Sequence, residues 1–269
     1  MNSAPPLDAP CKLDRSVVLT VQRGMQVLRA FRSERAPLSN AELVRRTGLA
    51  KSTVSRLTTT LLAQGFIRHV PGGRQFELCP APAAIGHAYL SGSRLLRTAG
   101  PFLQALADRL DVSVALSVRD DLEMLYVGYR ASHNVGTLRL GVGSVLPLGS
   151  TSIGRAYLWG LPQAQRDVLL DTLRERAGPA GETLMRDIAG SFAELARTGI
   201  CSVLSGYQRD TYGIALPVTV GRKRIVMSMS CGRARIQPDL HAESRLIAPV
   251  LRESAQQFEA LLADFDEDL

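Results

Sequence analysis

The chain of 269 residues has only 5% aromatics, one tryptophan and four cysteines. Cys11, Cys79, Cys201 and Cys231 form no Cys-x-x-Cys pair, and His69, His87, His133 and His241 are scattered. No zinc spacing exists, and reduced, mostly buried thiols are the expectation. No run approaches the roughly 18 consecutive apolar residues of a membrane span. Met1 to Asp14 has no apolar centre and carries Pro5, Pro6 and Pro10. Residues 1–16 therefore read as a disordered tail and not as a secretory leader, which predicts a cytoplasmic protein without a membrane partner. Catalytic patterns are missing too. Gly141-Val-Gly143 lacks the third glycine and the strand-turn-helix setting of a dinucleotide site, and there is no Walker loop. No Gly-x-Ser-x-Gly elbow surrounds Ser202, Ser205 or Ser228. No histidine offers a base at a readable spacing, and His133, between Ser132 and Asn134, reads as a loop residue. No catalytic residue, metal ligand or cofactor is predicted.

What is present is a core-forming composition, 45% hydrophobic, and an uneven charge. The net charge is +7; residues 1–80 hold 12 Lys and Arg against 5 Asp and Glu, and the remainder holds 20 against 20. A basic module beside a neutral one points to a polyanionic partner for the first module, although charge alone fits a solubilising bias equally well.

Helical periodicity starts near Val17, with Val21, Met25, Leu28 and Phe31, and Val27 beside them, as its apolar stripe. Pro37 ends it. Ser39 three residues before Glu42 is a capping-box pattern that opens a short helix, Asn40 to Thr47, with Leu43 and Val44 inward and Gly48 as its stop. A second helix runs from about Lys51 to Ala63. Phe66 to His69 and Gln75 to Leu78, around Pro71-Gly72-Gly73, read as a β-hairpin. Pro80 and Pro82 mark a boundary. The expected organisation is a basic first module over 17–80, a linker over 81–98 containing a helix from about Ala84 to Leu96, and a larger domain over 99–265. That domain opens with a helix from about Pro101 to Leu110. Period-2 runs Val112 to Arg119 and Leu122 to Tyr129 follow, around Asp120-Asp121. Thr137 to Val142 is a further candidate strand, then helices at 152–160, 163–176 and 182–198. Strands return at 200–206, 212–220 and 224–231, and an amphipathic helix covers about 239–263. This order predicts an α+β domain, an antiparallel sheet flanked by helices.

A helical wheel of residues 51–63 sets Val54, Leu57, Thr58 and Leu61 on one side and Ser52, Ser55, Arg56 and Thr59 on the other. The outward set suits the major groove: arginine pairs bidentately with guanine, hydroxyls bond base edges, and threonine methyls touch thymine. No acidic residue occurs from Thr47 to Ile67. Helix, glycine turn, second helix and basic hairpin are the order of a winged helix-turn-helix. Lys51, Thr53 and the first-turn amides, with Arg46 on the preceding helix and Arg74 and Gln75 at the hairpin tip, are candidate backbone contacts; Arg45 is a weaker one. The same shape also serves protein-interaction modules.

Gly48-Leu-Ala-Lys-Ser-Thr-Val-Ser-Arg-Leu57 and Leu61-Leu-Ala-Gln-Gly-Phe-Ile67 resemble the DNA-binding signature of the IclR family of bacterial regulators. Gly72-Gly-Arg-Gln-Phe-Glu-Leu78 is similar to the family's wing. Gly143 to Leu148 and Thr151-Ser-Ile-Gly-Arg-Ala156 resemble its effector-domain loop, and Gly206 to Val220 with Val226 to Cys231 its last two strands. The resemblance covers residues 20–263. It implies a linker helix, a GAF-like effector domain, and homodimers or dimers of dimers on palindromic double-stranded operators. A dimer would set two reading helices one DNA turn, ~34 Å, or a multiple of it apart. It also implies an effector pocket lined by Ser152, Ile153, Tyr212, Gly213, Ser228 and Ser230. Hydroxyls and the amides opening the 152–160 helix would suit a small carboxylate there, with Arg139 or Arg209 adding charge. Two departures stand out: Leu204 to Asp210 is nearly free of the acids common in the family, and Arg155 replaces its usual lysine. Two rivals remain open: a DNA-binding adaptor whose large domain takes a protein partner, and an enzyme built on that domain.

Overall fold

A computed structural model describes residues 17–32, 37–135 and 140–266. The chain divides into two units that part between Tyr89 and Leu90.

In the first unit, α1 (Leu19–Arg29), α2 (Asn40–Thr47) and α3 (Lys51–Ala63) precede a hairpin of β1 (Ile67–His69) and β2 (Phe76–Leu78). Ser39 caps α2 by accepting from the Glu42 amide at 3.1 Å. Gly48 ends it at φ 68°, a left-handed conformation that costs glycine little. The core gathers Val27 of α1 and Ala30 just past its end, Leu43 of α2, Val54, Leu57 and Leu61 of α3, and Ile67 and Phe76 of the hairpin. Leu38 bonds Phe76 through both backbone groups and adds a third short edge to the hairpin. This is a winged helix-turn-helix. The expected stripe on α1 is only half right: Val27 is buried, but Val21 and Met25 are 56% and 55% exposed. Among the described residues, nothing of their own unit covers this face of α1.

The unit division falls within α4 (Ala81–Gly92), the linker helix. The helix expected over 84–96 in fact stops at Gly92, because Ser93 caps the next helix and accepts from the Leu96 amide at 3.3 Å. That helix, α5 (Arg94–Leu110), runs through Pro101, where sequence placed its start. Proline removes one rung from the ladder, but the buried face of Leu95, Ala99, Leu103 and Leu106 holds the helix across the gap.

In the second unit, β3 (Ser113–Asp120), β4 (Glu123–Ala131), β5 (Val145–Pro147), β6 (Cys201–Leu204), β7 (Thr211–Val220) and β8 (Ile225–Ala234) form one antiparallel sheet, in the order β5-β4-β3-β8-β7-β6. Asp121 takes φ 57° in the β3–β4 turn. Sequence missed β5. Of the strand expected over 137–142, residues 137–139 lie outside the described residues, and Leu140 to Val142 are not strand. Helices α6 (Ser152–Gly160), α7 (Gln163–Ala177) and α8 (Gly181–Thr198) intervene before β6, and α9 (Leu240–Leu261) closes the unit. Side chains alternate across the sheet. Val114, Leu116, Ile214, Met229 and Cys231 pack with α5 and α9, while Ala115, Tyr126 and Ala215 pack with α6 and α8. The fold class is therefore α+β as expected. No described helix is long and apolar enough to cross a membrane.

Candidate nucleic-acid interface and ligand cavity

The wheel drawn for α3 matches the structure side for side. Val54, Leu57, Thr58 and Leu61 are buried, and Lys51, Ser52, Ser55, Arg56 and Thr59 are exposed, with Thr53 half-buried. Thr59 donates its hydroxyl to the Ser55 carbonyl at 3.0 Å, which leaves its methyl and oxygen lone pairs outward. Ala50 caps α3 without a side-chain bond, and no acid lies in the first turn. The first-turn amides beside Lys51 are thus open to an anion.

At the wing, Gly73 donates to the Val70 carbonyl and Val70 to that of Gln75, closing a turn that exposes Arg74 and Gln75. Arg68 pairs with Glu77 across the hairpin at 2.7 Å. Arg46 differs from the sequence expectation. Its Nε bonds Glu42 at 2.6 Å and its NH1 bonds the Ala30 carbonyl at 3.0 Å, so this guanidinium fastens α2 to the end of α1. Arg45 also grips Glu42, at 2.6 Å. Hydrogen bonds from Arg45 first, then Arg46, lower the Glu42 carboxyl from 4.5 to about 2.

In the second unit, a cavity holding about 570 Å³ of empty space, its mouth included, opens beside the start of α6. Of the expected residues, Ser152, Ile153, Tyr212, Gly213 and Ser230 line it. At Gly213 a Cβ would crowd the Ser152 hydroxyl, which would have to turn aside. Tyr212 contributes only part of itself: its hydroxyl bonds Glu243 on α9 at 2.8 Å, on the sheet's other face. Ser228 is not in the lining. It lies on the α6 face, one pleat past Ser230, and is fully buried. Arg209 does not line the cavity, and Arg139 lies outside the described residues.

Sequence reasoning missed the aromatic wall of Tyr126, Tyr129 and Tyr207. Tyr126 and Tyr129 stack with centroids 6.2 Å apart and planes 17° apart. Burial raises both phenols above their ordinary value, with the Ser230 hydroxyl opposing the rise at Tyr126 and that of Ser113 opposing it at Tyr129. Both therefore stay neutral at physiological pH. Their only sequence signal was the period-2 pattern that also marks core positions. Thr151 caps α6 through the Gly154 amide at 3.3 Å. Buried Arg155 shapes the loop before it, with Nε on the Gly149 carbonyl at 2.8 Å and NH1 on the Ser191 hydroxyl at 3.0 Å. Among the described residues, the cavity lining carries no Asp, Glu, Lys, Arg or His. Burial pushes the thiols of Cys201 and Cys231 up to about 12, so both stay protonated. Cys11 lies outside the described residues. No cluster of three or more His, Cys, Asp or Glu able to hold a metal occurs among the described residues.

Comparison with known proteins matches the IclR helix-turn-helix domain over residues 20–71 and the C-terminal domain of the bacterial transcriptional regulator IclR over residues 87–260. An IclR family transcriptional regulator from Brucella abortus is 30% identical, with 96% of this chain and 99% of that one covered and a TM-score of 0.82. The HTH-type transcriptional regulator TsaQ1/TsaQ2 of Comamonas testosteroni is 27% identical over 247 residues, 91% of this chain and 88% of the relative. An IclR homologue from Microbacterium hydrocarbonoxydans, solved with 4-hydroxybenzoate, shares the fold at 22% identity and a TM-score of 0.61, with 90% of this chain and 98% of that one covered.

Proposed function

The chain belongs to the IclR family of bacterial transcriptional regulators and is a DNA-binding regulator of that type; from that premise we propose that its second unit senses a small carboxylate, most readily an aromatic one. The carrying observation is the cavity. A stacked tyrosine wall offers a ring-shaped surface. Ser152 and the opening amides of α6 provide donors and the positive end of a helix for an anion. The 4-hydroxybenzoate in the Microbacterium homologue is that protein's ligand; in this chain it supports the choice of probe.

In the first unit, Arg56, Ser52, Ser55 and Thr59 read bases in the major groove, and Lys51, Thr53, Arg74 and Gln75 hold the backbone. The protein acts as a homodimer, alone or paired, on a palindromic operator. Exposed Val21 and Met25 of α1 and Ile85 and Tyr89 of α4 supply apolar surface for the second copy. Ligand and operator communicate only through unequal ligand affinity for DNA-competent and DNA-incompetent arrangements.

Two measurements test this reading. Purified protein at low salt should hold a genomic fragment from its own locus more tightly than bulk competitor, and equal retention would defeat the DNA assignment. In a thermal-shift panel of small acids including 4-hydroxybenzoate, a ligand of the folded state raises the midpoint. A flat panel, with the operator still bound, would favour the adaptor reading.

A further inference from the structure

The 205–210 segment, between β6 and β7, stands between the cavity and solvent. Gly206, Tyr207 and Gln208 line the cavity, while Ser205, Gln208, Arg209 and Asp210 are exposed and no residue of the segment is buried. It is a strap one chain thick. Its end residues are not glycine, yet both are left-handed, Ser205 at φ 53° and Asp210 at φ 56°. Such residues keep that conformation only where neighbours hold them in it. Within the strap, the Ser205 amide donates to the Thr211 carbonyl at 2.7 Å, and the Thr211 hydroxyl donates to the Gln208 carbonyl at 2.7 Å. The first end is tied to the loop before α6, where the Ser150 hydroxyl donates to the Gly206 carbonyl at 3.0 Å. The last end is tied just past β8, where the Arg235 amide donates to the Asp210 carbonyl at 2.8 Å.

That last tie is held from α9. Glu243, 14% exposed, accepts from the Arg235 guanidinium at 2.6 Å on one oxygen and from the Tyr212 hydroxyl at 2.8 Å on the other. Burial, and then the bond to Glu243, raises the Tyr212 phenol, so it stays protonated and donates. Arg235 carries the amide that holds Asp210, and Tyr212 follows Asp210 by two residues, so one carboxylate steadies both neighbours of the strap's end. Glu243 is itself fixed in the first turn of α9. Asp239 caps that helix on the His241 and Ala242 amides, each at 3.0 Å, and its carbonyl accepts from the Glu243 amide at 3.0 Å. We propose that Glu243 is the latch of a gate: through Arg235 and Tyr212 it holds the 205–210 strap closed over the cavity, and its release lets the strap swing on its Ser150 anchor to admit or discharge a ligand. A segment without buried side chains opens at low free-energy cost, so the latch sets how often it does. The latch stands on the strap's own bonds; that a ligand passes through the opening rests on the effector reading.

The test is amide hydrogen exchange on the full chain and on E243A, R235A and the double variant, read on peptides covering 204–212 and on peptides from β3 and β4. E243A should speed exchange in the strap roughly fivefold or more, because two charge-assisted bonds are lost together. R235A, from a side chain 60% exposed, should speed it about twofold, and the double variant should go little beyond E243A, because both residues belong to one latch. The β3 and β4 peptides should keep their rates. In stopped flow with 4-hydroxybenzoate, E243A should raise the association and dissociation rates by a similar factor and leave Kd within about twofold, since the closed form still predominates. Unchanged strap exchange in both single variants would overturn the latch. So would an equal rise in the strap, β3 and β4, which would make Glu243 a brace of the whole unit. Faster strap exchange with unaltered ligand rates would overturn the gate. R235A alters only the surface and decides the latch if E243A fails to fold. A protein that takes no 4-hydroxybenzoate removes that ligand from the effector reading, and the exchange measurement, which needs no ligand, then decides the latch alone.

Discussion

Replacing Arg56 by alanine takes an exposed guanidinium off the outer face of α3, where it has no hydrogen-bond or ion-pair partner among the described residues. The folded chain loses nothing it uses, so stability should change by less than ~0.5 kcal/mol. A bidentate arginine–guanine pair discriminates against a wrong base by ~1–3 kcal/mol. A dimer on a palindrome loses two such pairs, roughly 2–6 kcal/mol if they add, or from about 30-fold to more than 10⁴-fold in affinity. Arg46→Ala should do the reverse. It breaks the 2.6 Å contact with Glu42 and the 3.0 Å bond to the Ala30 carbonyl, from a side chain 21% exposed. That should cost ~1–3 kcal/mol of stability, and about 4–8 °C in midpoint per kcal/mol for a domain of this size. Any effect on DNA should fall equally on operator and random duplex. Fluorescence anisotropy against operator and scrambled duplex, beside calorimetry on both variants, separates the two roles. An Arg56→Ala protein that keeps its operator-to-scramble ratio would refute the reading face, and an Arg46→Ala protein with an unchanged midpoint and altered base preference would refute the structural role.

Lys51→Ala should flatten the dependence of log affinity on log salt by about 0.9 per lost phosphate contact, so nearly 2 for a dimer, with base preference intact; an unchanged slope removes Lys51 from the backbone contacts. Ser152→Leu should fill the cavity beside Gly213, abolishing the thermal shift with a cavity ligand and sparing operator binding; a preserved shift would take Ser152 out of the site. The Glu42 carboxyl is lowered to about 2 in the folded chain. A depressed carboxyl contributes stability above its unfolded value and loses it as pH falls through the folded one. The first unit should therefore weaken between about pH 5 and pH 2, and Glu42→Gln should flatten that interval; superimposable acid-unfolding profiles would contradict the arginine clamp.

The reading helix was legible because a single helix encodes it. One face of α3 packs and one is polar, so a period of 3.6 residues separates them without knowledge of any other element. The hairpin was equally local, since Pro71-Gly72-Gly73 allows little else. The cavity is assembled from all six strands of the sheet, Leu140, the start of α6 and the 206–208 segment. No window of sequence contains it, and Tyr126 and Tyr129 carry the alternation of any half-buried strand. Five of the six residues that the resemblance implies line this cavity, and Ser228 lies beyond it, because strand periodicity fixes which face a side chain takes and not how far along that face a cavity reaches. The internal bonds of Arg46 were hidden for a related reason: its partners are Glu42, a residue already accounted for as half of a capping box, and a carbonyl sixteen residues away.

The α1 stripe marks a different limit. Val21 and Met25 have the spacing of a core face, yet their own unit buries Val27 and Ala30 instead. A helix can satisfy periodicity with a partner its own chain does not supply, so an apolar stripe shows that something packs on it and not that the same chain does. With Ile85 and Tyr89 of α4 also exposed, the dimer proposed for palindrome reading would bury surface that a monomer leaves wet. Stability and operator recognition would then share one association equilibrium. The midpoint of unfolding should rise with protein concentration, and Val21→Glu with Met25→Glu should remove that rise and weaken operator binding together. A midpoint independent of concentration, in a protein that still binds the full palindrome cooperatively, would break that link and place the dimer contact outside α1.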